Sequence, residues 1–541
     1  MKKLGLVLLV LVLAAGCALG VSACGGSEGK EGGTLTGTYA SFPAYLDPSL
    51  SYEVEGWTAM YDTYLPLLTL AHENGAEGSK VVPALAESLP KITNGGKTYT
   101  LTLRKGLKYS DGTPVKASDF KSSIERVFAL GSAGSSFYES IVGAQRFAET
   151  KQGDIPGIKT DDKTGRIEIE LTAPRGTFTN ELAMLYAAVL PSDTPIENMT
   201  ANPPPATGPY MISKVEPGRS WSYARNPYWA KDNSQIGEVP SGHVDKIEIR
   251  VVRNDSTQVN EIERGKADWM QTPISADEYN KVKDKYEGTQ FRVERPINIY
   301  LFWMNTEKAP FDDLRVRQAV NYAIDPAALE RIYAGSLAAD HQILPEGMPG
   351  HKPFDLYPHD MAKAKQLIKE ANPSDRNITV WTDNESPNNE AGAYYEGVLK
   401  ELGFDAKLKE VNADNYFPII GNESTPDLDI GWLSFFADYP HPNDFFQLLF
   451  AGESIAPTNN TNLSRIDDPK INAKIARLDK EPLGPQQEAE YADLDREIME
   501  QAPVAPYGTN TVSTFVSSAI DLDKVVFNPT FGQDLTSFQF K

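Results

Sequence analysis

An α/β fold divided among more than one lobe is what this 541-residue chain predicts. Short β-type runs alternate with helical stripes, and no internal repeat stands out, which argues against an all-β or all-helical chain. The length exceeds what one core usually serves, so two or three domains are expected. Both cysteines, Cys17 and Cys24, sit near the N-terminus. The domain that follows therefore has no disulfide and must be stable through its core alone.

Lys2 and Lys3 precede LGLVLLVLVLAAGCALGVSAC, a charged start and apolar run that read as a secretory signal. Leu4 to Ala23 is also long enough for a membrane helix. Val21-Ser22-Ala23-Cys24 resembles a bacterial lipobox, which implies cleavage after residue 23 and a diacylated Cys24. Ala14-Ala15-Gly16-Cys17 is a second candidate that fits less well, because alanine replaces the usual large aliphatic residue. Residues 24–33, with the run GGSEGKEGG, then read as a flexible tether.

In KTYTLTLRK, Tyr99, Leu101 and Leu103 alternate as in a half-buried strand, and SDGT (110–113) is a turn. Ser118 is placed to cap a helix whose Phe120, Ile124, Val127 and Phe128 share a face. IEIEL (167–171) and KIEIRVV (246–252) read as strands. Val316, Ala319, Val320 and Ala323 form one helical stripe; Ala364, Leu367, Ile368 and Ala371 form another. A third helix stops at Gly403, and Asp325-Pro326 ends the first of these stripes. The proline-rich NPPPATGPY (202–210) marks passage between lobes. RPINIYLFWMN (295–305) marks a second crossing, where a hinge would sit.

The formal charge is −22, from 52 basic and 74 acidic residues. No basic face is evident, which excludes a nucleic-acid partner, and the acidity suits solubility outside the membrane. The sequence contains no HExxH, GxSxG, GxxxxGK[ST] or GxGxxG. Its six histidines are scattered in loop-like contexts without metal-ligand spacing, and read as solvated or locally bonded. Asp161-Asp162, Asp312-Asp313 and Asp467-Asp468 read as turn or helix-start residues. No catalytic residue, metal or cofactor is predicted.

One stretch stands apart. FFADYPHPNDFF (435–446) holds Asp438 among Phe435, Phe436 and Tyr439. A carboxylate among rings is costly to desolvate unless it has a partner. Asp438 caps the turn before Pro440, or it awaits a ligand.

Several stretches, in this order, resemble the family 5 extracellular solute-binding proteins, the oligopeptide, dipeptide and nickel receptors of ABC importers. They are GGTLT with LDPS (32–36, 46–49), VPALAESL (82–89), YTLTLRKGLKYSDGTPVKASDF (99–120), TGPYMISKVEPG with RNPYW (207–218, 225–229), PFDDLRVRQAVNYAID (310–325) and ADYPHP (437–442). The resemblance implies a two-lobed periplasmic-binding-protein-like clamp of the large, three-domain type, with the ligand cleft between lobes. Lobe I would comprise residues 34–70, 205–295 and 520–541. Residues 71–204 would form an inserted extra domain, and residues 296–519 lobe II.

By the same resemblance Asp438 would take a peptide's α-ammonium, with Asp444 a rival. Peptide-binding members place the aspartate close after a Gly-Trp pair; here five residues separate Gly431-Trp432 from Asp438. Trp432 and Phe436 are therefore joint candidates for the pocket floor, beside Tyr439. Tyr507, Glu53, Val54 and Asn305 match other ligand-lining regions, whereas Trp303 reads as core. The implied function is a lipid-anchored, extracytoplasmic, non-enzymatic peptide receptor, acting as a monomer and delivering to an ABC permease with its ATPase subunits. A nickel chelate, haem or oligosaccharide is an alternative ligand, and a secreted cell-surface hydrolase an alternative class.

Overall fold

The computed structural model describes residues 30–541, so the leader, Cys24 and most of the tether lie outside the described residues. Two mixed sheets carry the two lobes. The first has seven strands in the order Phe291–Glu294, Val512–Val516, Trp269–Met270, Thr34–Tyr39, Lys246–Val251, Ser220–Arg225 and Tyr210–Glu216. The second has six, in the order Leu337–Ala338, Val504–Asn510, Asn298–Met304, Ile430–Phe436, Asn377–Asp383 and Asp405–Val411. A four-stranded antiparallel sheet, Lys91–Thr93, Thr98–Thr102, Arg166–Glu170 and Ile158–Asp161, centres the insert. Each sheet packs its own core, represented by Trp221 and Ile247, Phe302 and Val320, and Tyr99 and Phe120. No helix of the described residues is long and apolar enough to cross a membrane.

The patterned segments form as their periodicity dictates. Thr98–Thr102 buries Tyr99 and Leu101, and the helix Ala117–Ala129 buries Phe120, Ile124, Val127 and Phe128. Between them Gly112 turns the chain at φ +90°, with the Tyr228 hydroxyl 2.5 Å from where a Cβ would stand. The helix is capped differently from expectation. Lys116 is the N-cap, and the Asp119 carboxylate reaches back to accept from its amide at 2.8 Å. Ser118 lies inside the first turn, where its hydroxyl and amide donate to Asp162 instead. The two later stripes occupy helices Leu314–Ala323 and Met361–Ala371, and Gly403 follows the helix Asn388–Glu401 at φ +93°. Asp325 does more than end a helix: it caps Pro326–Ile332 by accepting from the Ala327 amide.

The chain leaves the first sheet after Glu294 and enters the second at Asn298, within the predicted crossing. It returns at Val512, earlier than the expected boundary at 520. The reason is pairing: Val512–Val516 fits antiparallel against both Trp269–Met270 and Phe291–Glu294. The expected start of the insert at 71 also moves. Leu68–Leu70 pairs with Val81–Pro83, and the Asn528 side chain donates to the Ala71 and Gly78 carbonyls, tying that stretch to the C-terminal tail.

The LDPS stretch holds the insert to lobe I. Arg126, on the insert's helix, donates to both oxygens of Asp47 at 2.8 and 2.6 Å. Asp47 also accepts from the amides of Ser49 and Met199, and Arg126 donates to the Pro195 and Glu197 carbonyls. Both side chains are buried. Removing one partner of such a pair strands the other charge, so Asp47→Ala is expected to cost about 3–5 kcal/mol, with Arg126→Met added to it recovering most of the loss. Urea unfolding of both variants measures this; equal losses in the two would show that the stranded charge is not the cause.

Candidate functional site

A cavity of about 350 Å³ opens between the lobes, beside the crossings. Lobe I contributes Tyr52 to Glu55, Trp57 and the tail residues Phe527, Pro529, Thr530, Gly532 and Gln533; lobe II contributes Phe436 to Asp438. Pro296, Ile297, Asn510 and Val512, at the crossings, close one end.

The Ile430–Phe436 strand explains which predicted aromatic faces this space. Side chains alternate along a strand, so Trp432, Ser434 and Phe436 share a face. The Tyr300 ring touches both aromatics, at 5.8 Å from Trp432 and 6.3 Å from Phe436. Trp432 is buried, and its indole donates to the Tyr507 hydroxyl at 3.0 Å. Phe436, two pleats on, is 37% exposed and lines the cavity. The residues after Gly431-Trp432 thus prolong a strand, and Phe436 takes the exposed place. Gly431 itself serves packing: a Cβ there would stand 2.5 Å from the Trp303 ring across the ladder. Trp303 is core, as expected.

Three other predicted site residues lie away from the cavity. Tyr507 is fully buried, its hydroxyl 2.8 Å from that of Tyr333. Asn305 is buried with both ends of its amide used, donating to the Leu428 carbonyl and accepting from the Glu307 amide. Tyr439 turns into the insert's core, edge-on to Phe137. The polar atoms of Tyr507 and Asn305 find partners inside the fold, and the Tyr439 ring packs in the core. Glu53 and Val54 do line the cavity, at the start of the helix Val54–Met60. The Glu53 carboxylate turns back to accept from the Ala44 amide at 2.5 Å.

Asp438 and Asp444 divide the two roles that the sequence left open. Asp444 is buried in the helix Pro442–Phe450 and accepts from the Asp438 amide at 2.8 Å and from the Tyr439 amide. It caps the turn. The Asp438 side chain is thereby left for the cavity, where its Oδ1 accepts from the Tyr52 hydroxyl at 2.7 Å across the lobes. Its Oδ2 accepts no hydrogen bond from the described residues. Burial raises both carboxyls, Asp438 to about 6 despite the Tyr52 bond, and for Asp444 the Asp438 charge adds to the effect of burial. Tyr52 escaped the sequence reading, since nothing local marks a contact with a residue 386 positions away.

Two histidines stand in loop positions as expected but are buried rather than solvated. His441 is fully buried, pushed down to about 3 by burial, and its neutral Nδ1 accepts from the Asn443 amide to cap the helix. His72 is stacked on Tyr61, 2.7 Å from Asp534 and 3.6 Å from Asp62. These three bring one ligand atom each within 4.8 Å of one another, a set that could hold a metal ion. Asp62 Oδ2 accepts from the Leu535 amide, and Asp534 from the Thr536 amide and hydroxyl, while Asp62 Oδ1 and His72 Nε2 are buried without a hydrogen-bond partner among the described residues.

The model for "Bacterial extracellular solute-binding proteins, family 5 Middle" matches residues 80–456. The chain belongs to this family. The family 5 protein is 25% identical over 497 residues to the periplasmic murein peptide-binding protein MppA of Escherichia coli strain K12, covering 86% of this chain and 85% of that one. It matches the solved structure of clavulanic acid biosynthesis oligopeptide binding protein 2 with a TM-score of 0.84 at 24% identity, over 94% of this chain and 96% of that one. It also matches the ABC transporter-associated periplasmic binding protein DppA from Helicobacter pylori, in complex with peptide STSA, at a TM-score of 0.71 and 20% identity, over 94% and 98%. The two-lobed α/β architecture is shared with these structures.

A buried acid without a cation weakens the unliganded family 5 protein. Between about 4, the ordinary carboxylate value, and about 6, the folded state holds a proton on Asp438 that the unfolded chain has released. Stability therefore falls as pH rises through that window and stays lower above it. Asp438→Asn keeps an acceptor for Tyr52 and removes the charge. It is expected to gain about 1–3 kcal/mol at pH 7.5 and little at pH 4. Urea midpoints at the two pH values measure this; a loss at pH 7.5 would overturn it.

Proposed function

We propose that this family 5 protein is the extracytoplasmic receptor of an ABC importer. It takes a peptide by its N-terminal ammonium at Asp438 and passes it to permease and ATPase subunits on other chains, catalysing nothing itself. The carrying observation is the open Oδ2 of a buried aspartate in an interlobe cavity. An ammonium group supplies charge-assisted hydrogen bonds where the fold supplies none, and amine capture of this kind is a general mode of peptide recognition.

The neighbouring strand supports the same reading. Ile430–Phe436 pairs along its whole length with Asn298–Met304, but with Asn377–Asp383 only at Ile430 and Gly431. Beyond Gly431 no strand of the described residues covers that second edge. A peptide laid there adds as a strand, with Phe436, Val54 and Trp57 offering apolar contacts. Ligand bound to Asp438 and to the Glu53–Val54 turn touches both lobes, so it favours closure about the crossings. The names of MppA and of the oligopeptide binding protein point the same way. The lining holds no histidine, cysteine or methionine, which speaks against haem iron or nickel as the ligand. Cys24, outside the described residues, is the proposed lipid anchor at the head of the tether, holding the domain on the outer face of the membrane.

Native mass spectrometry of the purified domain is expected to release short peptides. Asp438→Ala should weaken a free tripeptide at least ~30-fold, and N-acetylating that tripeptide should do the same to the wild type. Undiminished affinity in either case removes the amine role; release of a sugar or metal chelate discards it; peptide cleavage products sink the receptor reading. For the anchor, Cys24→Ser is expected to shift the protein from the membrane fraction to the soluble one. Full retention would favour an uncleaved anchor over Leu4 to Ala23.

A further inference from the structure

Charge around the cavity is one-sided. Glu53, Glu55 and Asp438 line it, and no lysine, arginine or histidine does. The two arginines before the first crossing are already engaged. Arg292 pairs with Glu294 and donates to the Leu522 and Val525 carbonyls, and Arg295 pairs with Glu346. A larger recess of about 700 Å³, between the insert and lobe II, contains Lys80, but that ammonium pairs with Glu77 at 2.5 Å.

A second observation is the Asp438 side chain, 8% exposed, whose Oδ2 accepts no hydrogen bond from the described residues. A buried carboxylate oxygen left open is unfavourable unless a cationic ligand completes it. The opposite walls, Val54, Trp57, Phe436 and Phe527, are apolar, so the field of the three acids is only weakly screened inside. Burial raises the carboxyl of Glu53 as well as that of Asp438, as befits acids that no cation offsets.

We propose that the cleft selects short peptides of net positive charge, such as lysine- or arginine-containing or C-terminally amidated ones. This rests on the peptide reading above. One ammonium at Asp438 leaves Glu53 and Glu55 unbalanced, and a second cation offsets them. A free C-terminal carboxylate meets no cation in the cavity and is repelled by the same acids. Length would then be limited by space rather than by a carboxylate clamp, so amidation improves binding where a clamp would make it worse.

Calorimetry with Ala-Lys-Ala, Ala-Ala-Ala, Ala-Ala-Ala-amide and Ala-Glu-Ala at pH 7.5 tests this. Ala-Lys-Ala is expected to bind about tenfold tighter than Ala-Ala-Ala, and Ala-Glu-Ala about tenfold weaker, with both gaps shrinking in 0.5 M salt. The amide is expected to bind at least as tightly as the acid. Glu55→Gln should narrow the lysine-over-glutamate ratio several-fold, with unchanged unfolding temperature as the check on folding. Equal affinity for Ala-Glu-Ala and Ala-Lys-Ala, or a tenfold loss on amidation, overturns the proposal. If no peptide binds, the peptide reading itself fails; charge selection is then read with spermidine against succinate. Spermidine binding alone sustains it, and succinate binding or neither overturns it.

Discussion

The side-chain amide of Asn298 holds the two lobes' connections together, and the rest of the molecule is arranged around that point. Its Oδ1 accepts from the Asn510 amide at 2.8 Å, while its Nδ2 donates to the Asn510 and Pro296 carbonyls at 2.9 and 3.0 Å. The backbone ladder between the two crossing strands runs only as far as Tyr300 and Gly508. Beyond it a fully buried side chain satisfies the backbone that a strand partner otherwise would. Two chains crossing side by side, fastened at one place, give a joint that bends without the sheets coming apart. The cavity lies against that joint, so closing the lobes alters its walls most at the far rim and least at the crossings.

Charge is handled in opposite ways at the two interfaces of lobe I. Against the insert, Asp47 meets Arg126 with every polar atom matched, which fixes the insert to the lobe. Across the cleft, Asp438 meets only the Tyr52 hydroxyl. The first arrangement is rigid because nothing is missing; the second is incomplete, and under the proposed peptide reading its incompleteness is what gives a bound cation differential affinity for the closed state. A site held ready in this way weakens the empty protein, as functional sites commonly do.

Motif order and periodicity made much of the architecture legible. The alternation at Tyr99 and Leu101, the stripe from Val316 to Ala323 and the stop at Gly403 are local signals, set by side-chain spacing and backbone torsion. The site was legible only in part. Asp438, Phe436, Glu53 and Val54 reach the cavity, whereas Trp432, Tyr507, Asn305 and Tyr439 resemble lining residues in kind but find partners inside the fold. An aromatic in a strand reads the same whichever end of the strand meets solvent, and only the extra pleats beyond Trp432 settle that Phe436 is the exposed one.

By itself, the sequence determined the α/β class, the crossing near residue 295 and an acid among rings that needed a partner. Tertiary structure alone decided how Asp438 and Asp444 divide the work, which strand returns the chain to lobe I, and that Tyr52 faces Asp438. The physical reason is range. Periodicity, capping and turns are fixed by neighbours a few residues away, while strand pairing and the environment of a carboxylate depend on groups hundreds of residues distant that meet only when the lobes assemble.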